Sequence, residues 1–190
     1  MSERFRTDRL LVVFFGMTAV GKSALAQAWA QRTRCLYYNT DVIRKELDEA
    51  AADSSRNAEL GQGLYSREFT RKTYDTLLER AAAAFKAGSR LVILDGSYGS
   101  ADERRKVITT FSRIARICFI YCYCAEETVK KRLLQRQKDP SAVSDGRWDV
   151  YMMQKKTFSL PDRLDGADLF TLDTTADLAV LCAEVDALIA

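Results

Sequence analysis

Apolar residues fall into short unbroken runs separated by longer stretches of helical period, and that alternation sets the reading of the whole chain. Leu10–Phe15, Cys35–Asn39, Arg90–Leu94, Ile114–Tyr123 and Leu169–Leu172 are runs of strand length, rich in β-branched and aromatic residues. Between them the apolar positions recur every three or four residues. Ala24 to about Arg32, Asp41–Glu49, Ser66–Ala87, Ala101–Ser112, Glu126–Lys138, Trp148–Phe158 and a closing segment through Leu178, Leu181, Val185, Leu188 and Ile189 therefore read as helices. Phe69, Leu77, Leu78, Ala81 and Phe85 form the inner stripe of the longest, which Gly88 ends. Thr40 is the expected cap of the Asp41 helix. The small, polar stretch Ala50–Gly63 reads as a connection and a candidate substrate flap.

The order is β-α-β-α-α-β-α-β-α-α-β-α, without internal repeat. Such alternation implies an α/β fold, a parallel sheet of about five strands with helices on both faces. In such sheets ligands bind at the carboxyl ends of the strands. With 190 residues one domain over 1–190 is enough, the basic region of about 126–147 forming a helical lid.

Composition narrows the chemistry. Hydrophobic residues make up 47% and charged residues 29%, so a compact fold is expected. A net charge of +3 is too small for an extended nucleic-acid or membrane surface. No apolar run is long enough to span a bilayer, and Met1–Arg4 lacks a signal-peptide core, so no membrane partner and a cytoplasmic location are expected. The five cysteines include no CxxC pair, and Cys118, Cys122 and Cys124 share one strand face, where buried thiols or a metal site are the two readings. There is no histidine. Ser-His-Asp and Cys-His catalysis are excluded, and a general base must be a carboxylate, lysine, tyrosine or thiol.

The most informative stretch follows the first strand. Gly16-Met17-Thr18-Ala19-Val20-Gly21-Lys22-Ser23 matches G-x-x-x-x-G-K-S/T between a strand and a helix, the context of a phosphate-binding P-loop. Its amides, from Gly16 through Thr18, Ala19, Val20 and Gly21, would cradle phosphate oxygens. Lys22 would reach the β- and γ-phosphates, and Ser23 would ligate Mg²⁺. ATP and Mg²⁺ are the expected cofactors. Ala19 stands where many P-loop kinases have a further glycine.

Two carboxylates top neighbouring strand runs. Asp95, after Leu91–Leu94, is a candidate metal anchor or a loop cap. Asp41 is a candidate base for an acceptor hydroxyl or a helix-capping residue. Arg132 and Arg136 lie one turn apart on the basic helix, as lid arginines stabilising the transferring group or as a solvated face. Tyr65, Trp148 and Phe158 are candidate stacking surfaces for an acceptor or core residues.

Asn39-Thr40-Asp41 with Arg44, then Asp95-Gly96-Ser97 with Glu103-Arg104-Arg105, resembles the kinase module of polynucleotide 5′-hydroxyl kinases, zeta toxins and chloramphenicol phosphotransferase, over roughly Leu10 to Thr175. The resemblance implies that Asp41 activates the acceptor hydroxyl, that Arg44 helps bind the acceptor and that Arg132 or Arg136 acts from the lid. Ser144–Phe158, with Arg147-Trp148 and Gln154-Lys155, is similar to a segment of uncharacterised bacterial proteins of this group.

The expected activity is ATP- and Mg²⁺-dependent transfer of the γ-phosphate to a hydroxyl of a small molecule or a nucleic-acid 5′ end. The alternative is a nucleotide-hydrolysing or nucleotide-binding regulatory protein without an acceptor. No N/T-K-x-D guanine-reading motif is present. The sequence leaves the acceptor and the oligomeric state open.

Overall fold

The computed structural model describes residues 8–54, 67–136 and 148–190. Five parallel strands form one sheet: β1 (Leu10–Phe15), β2 (Leu36–Asn39), β3 (Leu91–Gly96), β4 (Arg116–Tyr123) and β5 (Asp168–Asp173), in the order β2-β3-β1-β4-β5. Seven helices connect and cover them: α1 (Lys22–Thr33), α2 (Thr40–Ser54), α3 (Arg67–Lys86), α4 (Ala101–Phe111), α5 (Glu126–Arg136), α6 (Trp148–Thr157) and α7 (Leu178–Ile189). Among the described residues no helix is long and apolar enough to cross a membrane.

Strand alternation divides the core into two layers. Val12, Phe14, Ile93, Cys118, Ile120 and Cys122 meet residues of α1, α5, α6 and α7. Leu11, Val13, Phe15, Val92, Leu94, Ile117 and Phe119 point the other way, onto α3 and α4. β1 is buried on both faces because it lies in the middle of the sheet, which explains why its run is apolar without alternation. Cys118 and Cys122 are buried free thiols of the first layer.

The order of elements is the one expected, with shifted boundaries. α2 runs to Ser54, beyond Glu49, so the helix takes in the start of the expected flap; residues 55–66 of that flap lie outside the described residues. The cap of α2 also differs. Asn39 Oδ1 accepts the amides of Asp41 at 2.8 Å and Val42 at 3.1 Å, whereas Thr40 is already helical, with its methyl group buried against Gly96. β4 begins at Arg116, because Ile114 and Ala115 close the turn after α4 with amides bonded to Phe111 O. α4 opens on a reciprocal capping box: Ser100 accepts from the Glu103 amide, and Glu103 accepts from the Ser100 amide.

Register brings the strand tops together. Asn39 is level with Asp95, Asp95 with Phe14, and Phe15 with Gly96 and Tyr121. The Gly16 amide continues the ladder onto Ser97 O at 3.3 Å. The glycine-bounded loop, the Asn39–Asp41 corner and the Asp95–Ser97 strand end thus share one edge of the sheet.

Candidate active site

The loop from Gly16 to Ser23 is shaped by left-handed residues. Gly16 has φ 147°, Ala19 φ 61° and Gly21 φ 101°. At Gly16 the constraint is absolute, since a Cβ would lie 2.4 Å from Cys122 O. Ala19, where a further glycine was a possible expectation, takes the left-handed conformation with its methyl group buried.

α1 starts at Lys22 with Gly21 as its cap residue. No side chain caps it, and its first turn holds no acidic residue. The amides at that helix end therefore point into the loop without an internal partner, which is the donor set an anion fits. Lys22 and Ser23 occupy the first two helical positions and are half-buried.

The outer side of the loop is held by the protein. Arg132 Nη1 donates to Val20 O at 2.6 Å and to Thr174 Oγ1 at 3.3 Å, while Nη2 donates to Thr174 O at 2.6 Å. The Thr174 hydroxyl also donates to Val20 O. Arg132 thus grips the backbone of the loop and of the turn after β5.

On the inner side stands Asp95, fully buried on the face that carries Ile93 and Phe14. Its Oδ2 accepts from the Tyr37 hydroxyl at 2.7 Å and from Asn39 Nδ2 at 2.5 Å; Oδ1 is buried with no hydrogen-bond partner. A buried carboxylate oxygen without a donor is costly, and a cation or its bound water is the partner such an oxygen fits. Ser23 and, directly or through water, Asp95 are the residues that would hold Mg²⁺. Among the described residues no three Asp, Glu, Cys or His side chains form a closed ligand cage.

Asp95 also leaves its mark on its neighbours. The Tyr37 hydroxyl is held well above the usual phenol range by burial and by the Asp95 charge. Burial likewise raises the Cys122 thiol, the Asp95 charge adds to the effect and Lys22 opposes it. Lys22 and Asp95 therefore both act on the strand end beneath the loop.

Asn39 links the two carboxylate positions. One end of its carboxamide donates to Asp95 and the other accepts the Asp41 amide. Asp41, half-buried in the first turn of α2, is held at the strand edge by that bond. Arg44, one turn further, lies 5.7 Å from the Phe69 ring centroid.

The segment after Asp95 is kept in a strained path. Tyr98 is fully buried with φ 43°. Its amide donates to Tyr74 Oη at 3.1 Å, and its carbonyl accepts from Arg104 Nη1 at 2.6 Å. Tyr74 and Ser97 share a hydrogen bond of 3.0 Å. Arg104 is buried beneath Phe15 without an ion pair among the described residues, and burial lowers its pKa.

Of the residues singled out in the sequence, Gly16–Ser23, Asp41, Asp95 and Arg132 converge on this edge. Trp148 stacks on Tyr151 at 5.2 Å with Lys130 Nζ 4.8 Å from its ring centroid, on the α5–α6 side. Phe158 is part of the core cluster with Phe15 and Tyr121. Tyr65 and the side chain of Arg136 lie outside the described residues, as do residues 137–147 of the expected lid. Four residues for which the sequence predicts no role also reach it: Tyr37, Asn39, Thr174 and Gln154, the last accepting the Thr18 amide at 2.7 Å. Tyr37 and Asn39 carried a signal, since positions two apart on β2 share a face.

This arrangement defines a P-loop NTPase domain. The chain belongs to a family of AAA domains, whose model matches residues 11–161. No curated protein matches it in sequence. Several solved structures share the fold. A gluconokinase from Sinorhizobium meliloti 1021 aligns with TM-score 0.66 and 17% identity, covering 97% of this chain and 93% of that one. The Mycobacterium tuberculosis APS kinase CysC, solved with AMPPNP and APS, aligns with TM-score 0.66 and 16% identity over 95% and 97% of the two chains. Chaetomium thermophilum Kti12, solved with ADP-AlF3, aligns with TM-score 0.61 and 16% identity over 95% and 99%.

Proposed function

We propose that the chain is an ATP- and Mg²⁺-dependent phosphotransferase that moves the γ-phosphoryl group onto a hydroxyl of a small molecule or of a nucleic-acid 5′ end. The observation that carries this reading is the hydrogen-bonded line from the Asp41 backbone amide through Asn39 to the Asp95 carboxylate, at the strand edge where the phosphate loop begins. A switch or motor needs the loop and a metal anchor. A second carboxylate set on the adjoining strand top is what an acceptor hydroxyl requires.

The residues divide the work. Loop amides and Lys22 would hold the β- and γ-phosphates, and Ser23 with Asp95, directly or through water, would hold Mg²⁺, which would neutralise charge on the phosphate oxygens. Asp41 accepts the proton of the acceptor hydroxyl as its oxygen bonds to the γ-phosphorus and the bond to the β,γ-bridging oxygen breaks, releasing ADP. Arg44, on the same face of α2 one turn on, contributes to acceptor binding. The likeness to a gluconokinase and an APS kinase supports phosphoryl transfer and leaves the acceptor to be found.

The test is transfer of label from γ-labelled ATP to a panel of 5′-hydroxyl oligonucleotides, nucleosides, sugars, aminoglycosides and chloramphenicol, with a metabolite extract as the open-ended arm. Asp41→Asn is expected to abolish transfer and leave ATP binding unchanged. Transfer that survives Asp41→Asn removes Asp41 as the base, and absence of any labelled product removes the kinase reading.

A further inference from the structure

Gln154 lies 136 residues from Thr18 in sequence, yet its Oε1 accepts the Thr18 amide at 2.7 Å. Thr18 is the third residue of the phosphate loop, and its amide belongs to the same concave run as those of Ala19 to Gly21. The contact is carried by a helix fixed at both ends. At its start Trp148 lies under Lys130 of α5, and in its last turn Lys155 bonds Glu126 of α5 at 2.7 Å. Just beyond that end the Ser159 amide donates to Gly99 O at 3.1 Å, and Phe158 packs on Gly99, Phe15 and Tyr121. Between them Tyr151, buried in the core layer of α1, places Gln154 one turn further along the same face of α6.

A carboxamide has an accepting and a donating end. The Thr18 N–H can only donate, so it takes the oxygen and leaves Nε2, which has no partner among the described residues. The residue type matters. A glutamate would satisfy Thr18 equally but place a negative charge at a cradle for phosphates, and a lysine could not accept the amide at all.

Building on the donor-site reading above, we infer that Gln154 is a ligand of the transferring phosphoryl group: with Oε1 anchored on Thr18, Nε2 donates to an equatorial oxygen of that group. Negative charge on those oxygens during transfer is what a pre-positioned donor stabilises, and loss of one such donor typically slows a reaction about 10²–10³-fold. The 154–159 stretch also reaches both the phosphate loop, through Gln154 in α6, and the loop after β3, through Ser159 just beyond the helix. The donor amide and the Asp95–Ser100 segment are thereby held by a common part.

The experiment needs no acceptor. Binding of ADP with Mg²⁺, and of ADP with Mg²⁺ and aluminium fluoride as a mimic of the transferring group, is measured by displacement of a fluorescent ADP from wild type, Gln154→Ala and Gln154→Glu. Thermal melting verifies that each variant folds. The expected result is ADP affinity within about twofold of wild type in Gln154→Ala and weaker in Gln154→Glu, with the aluminium fluoride complex weakened about tenfold or more in Gln154→Ala and further in Gln154→Glu, where the Thr18 contact is kept and the donor replaced by a charge. Equal aluminium fluoride affinities would overturn the inference. So would tighter ADP binding by Gln154→Ala, which would make the carboxamide a plug that nucleotide displaces. A wild type with a Gln154-dependent aluminium fluoride complex but no phosphorylated acceptor would remove the kinase reading and leave this one standing.

Discussion

Asn39 Nδ2 donates to Asp95 Oδ2 at 2.5 Å, across the parallel pair β2–β3 and at the same register position. Because the other end of the carboxamide caps α2, the buried Asp95 carboxylate and the turn that carries Asp41 are set by a single side chain. Asn39→Ala is expected to remove both bonds, at about 1 kcal/mol for the cap and about 1–3 kcal/mol for the buried acceptor left short of a donor. Asn39→Asp retains the cap but sets a second carboxylate against Asp95. It is expected to be less stable than Asn39→Ala, because two acceptors then face each other without a donor. Urea denaturation of both variants, alongside phosphoryl transfer, checks this.

Asp95→Asn is a narrower change. A carboxamide oxygen still accepts from Tyr37 and Asn39, so the fold is expected to survive, while the position of the unpartnered Oδ1 loses its charge. ATP affinity measured without Mg²⁺ should match wild type. The strengthening of binding by added Mg²⁺ should disappear, and transfer should fall about a hundredfold or more.

Arg132 separates two roles by its own chemistry. Its three bonds to Val20 O and Thr174 use the planar fork of the guanidinium, which a lysine does not reproduce. If its work is to hold the loop, Arg132→Lys and Arg132→Ala should both raise the KM for ATP about tenfold and lower the melting temperature. If its work is charge on the transferring phosphoryl, Arg132→Lys should keep most of kcat. Steady-state kinetics of the pair distinguishes the outcomes, and the geometry favours the first.

Alkaline pH should unfold the chain earlier than its net charge suggests. Burial pushes the Cys118 thiol from 9.0 up to about 12, and raises Cys122, Tyr37 and Tyr74 as well. Each is neutral in the fold and ionises more readily in the unfolded chain. Their contribution is complete below the unfolded value and is lost as pH rises toward the folded one. The denaturation midpoint is expected to hold steady up to about pH 9 and fall beyond it. Cys118→Ala and Cys122→Ala should flatten the decline.

The sheet and its helices were legible because each element carries its own period, and the phosphate loop because its eight residues are contiguous. What sequence distance hides is contact. Arg132 reads as a lid arginine or part of a solvated helix face, yet it bonds a carbonyl 112 residues away; Gln154 falls in a short predicted helix without a site role, yet it meets an amide 136 residues away. Thr40, next to Asp41, has the chemistry of a cap, but the helix starts one residue earlier, so the capping position falls to Asn39. Asp41 and Asp95 were readable as strand-end carboxylates. The bond from Asn39 to Asp95 follows only once the pairing of β2 with β3 is known.

Gly21, the second glycine of the loop, has its open side filled from outside: a Cβ there would lie 2.8 Å from Arg132 Nη1 and 3.2 Å from Thr174 Oγ1. With the Val20 carbonyl just before it also taken by both residues, the loop is braced before any phosphate arrives. A ligand that enters such a loop orders little backbone, so less of its binding enthalpy is offset by lost chain entropy. Nucleotide binding is then a docking event onto a set frame.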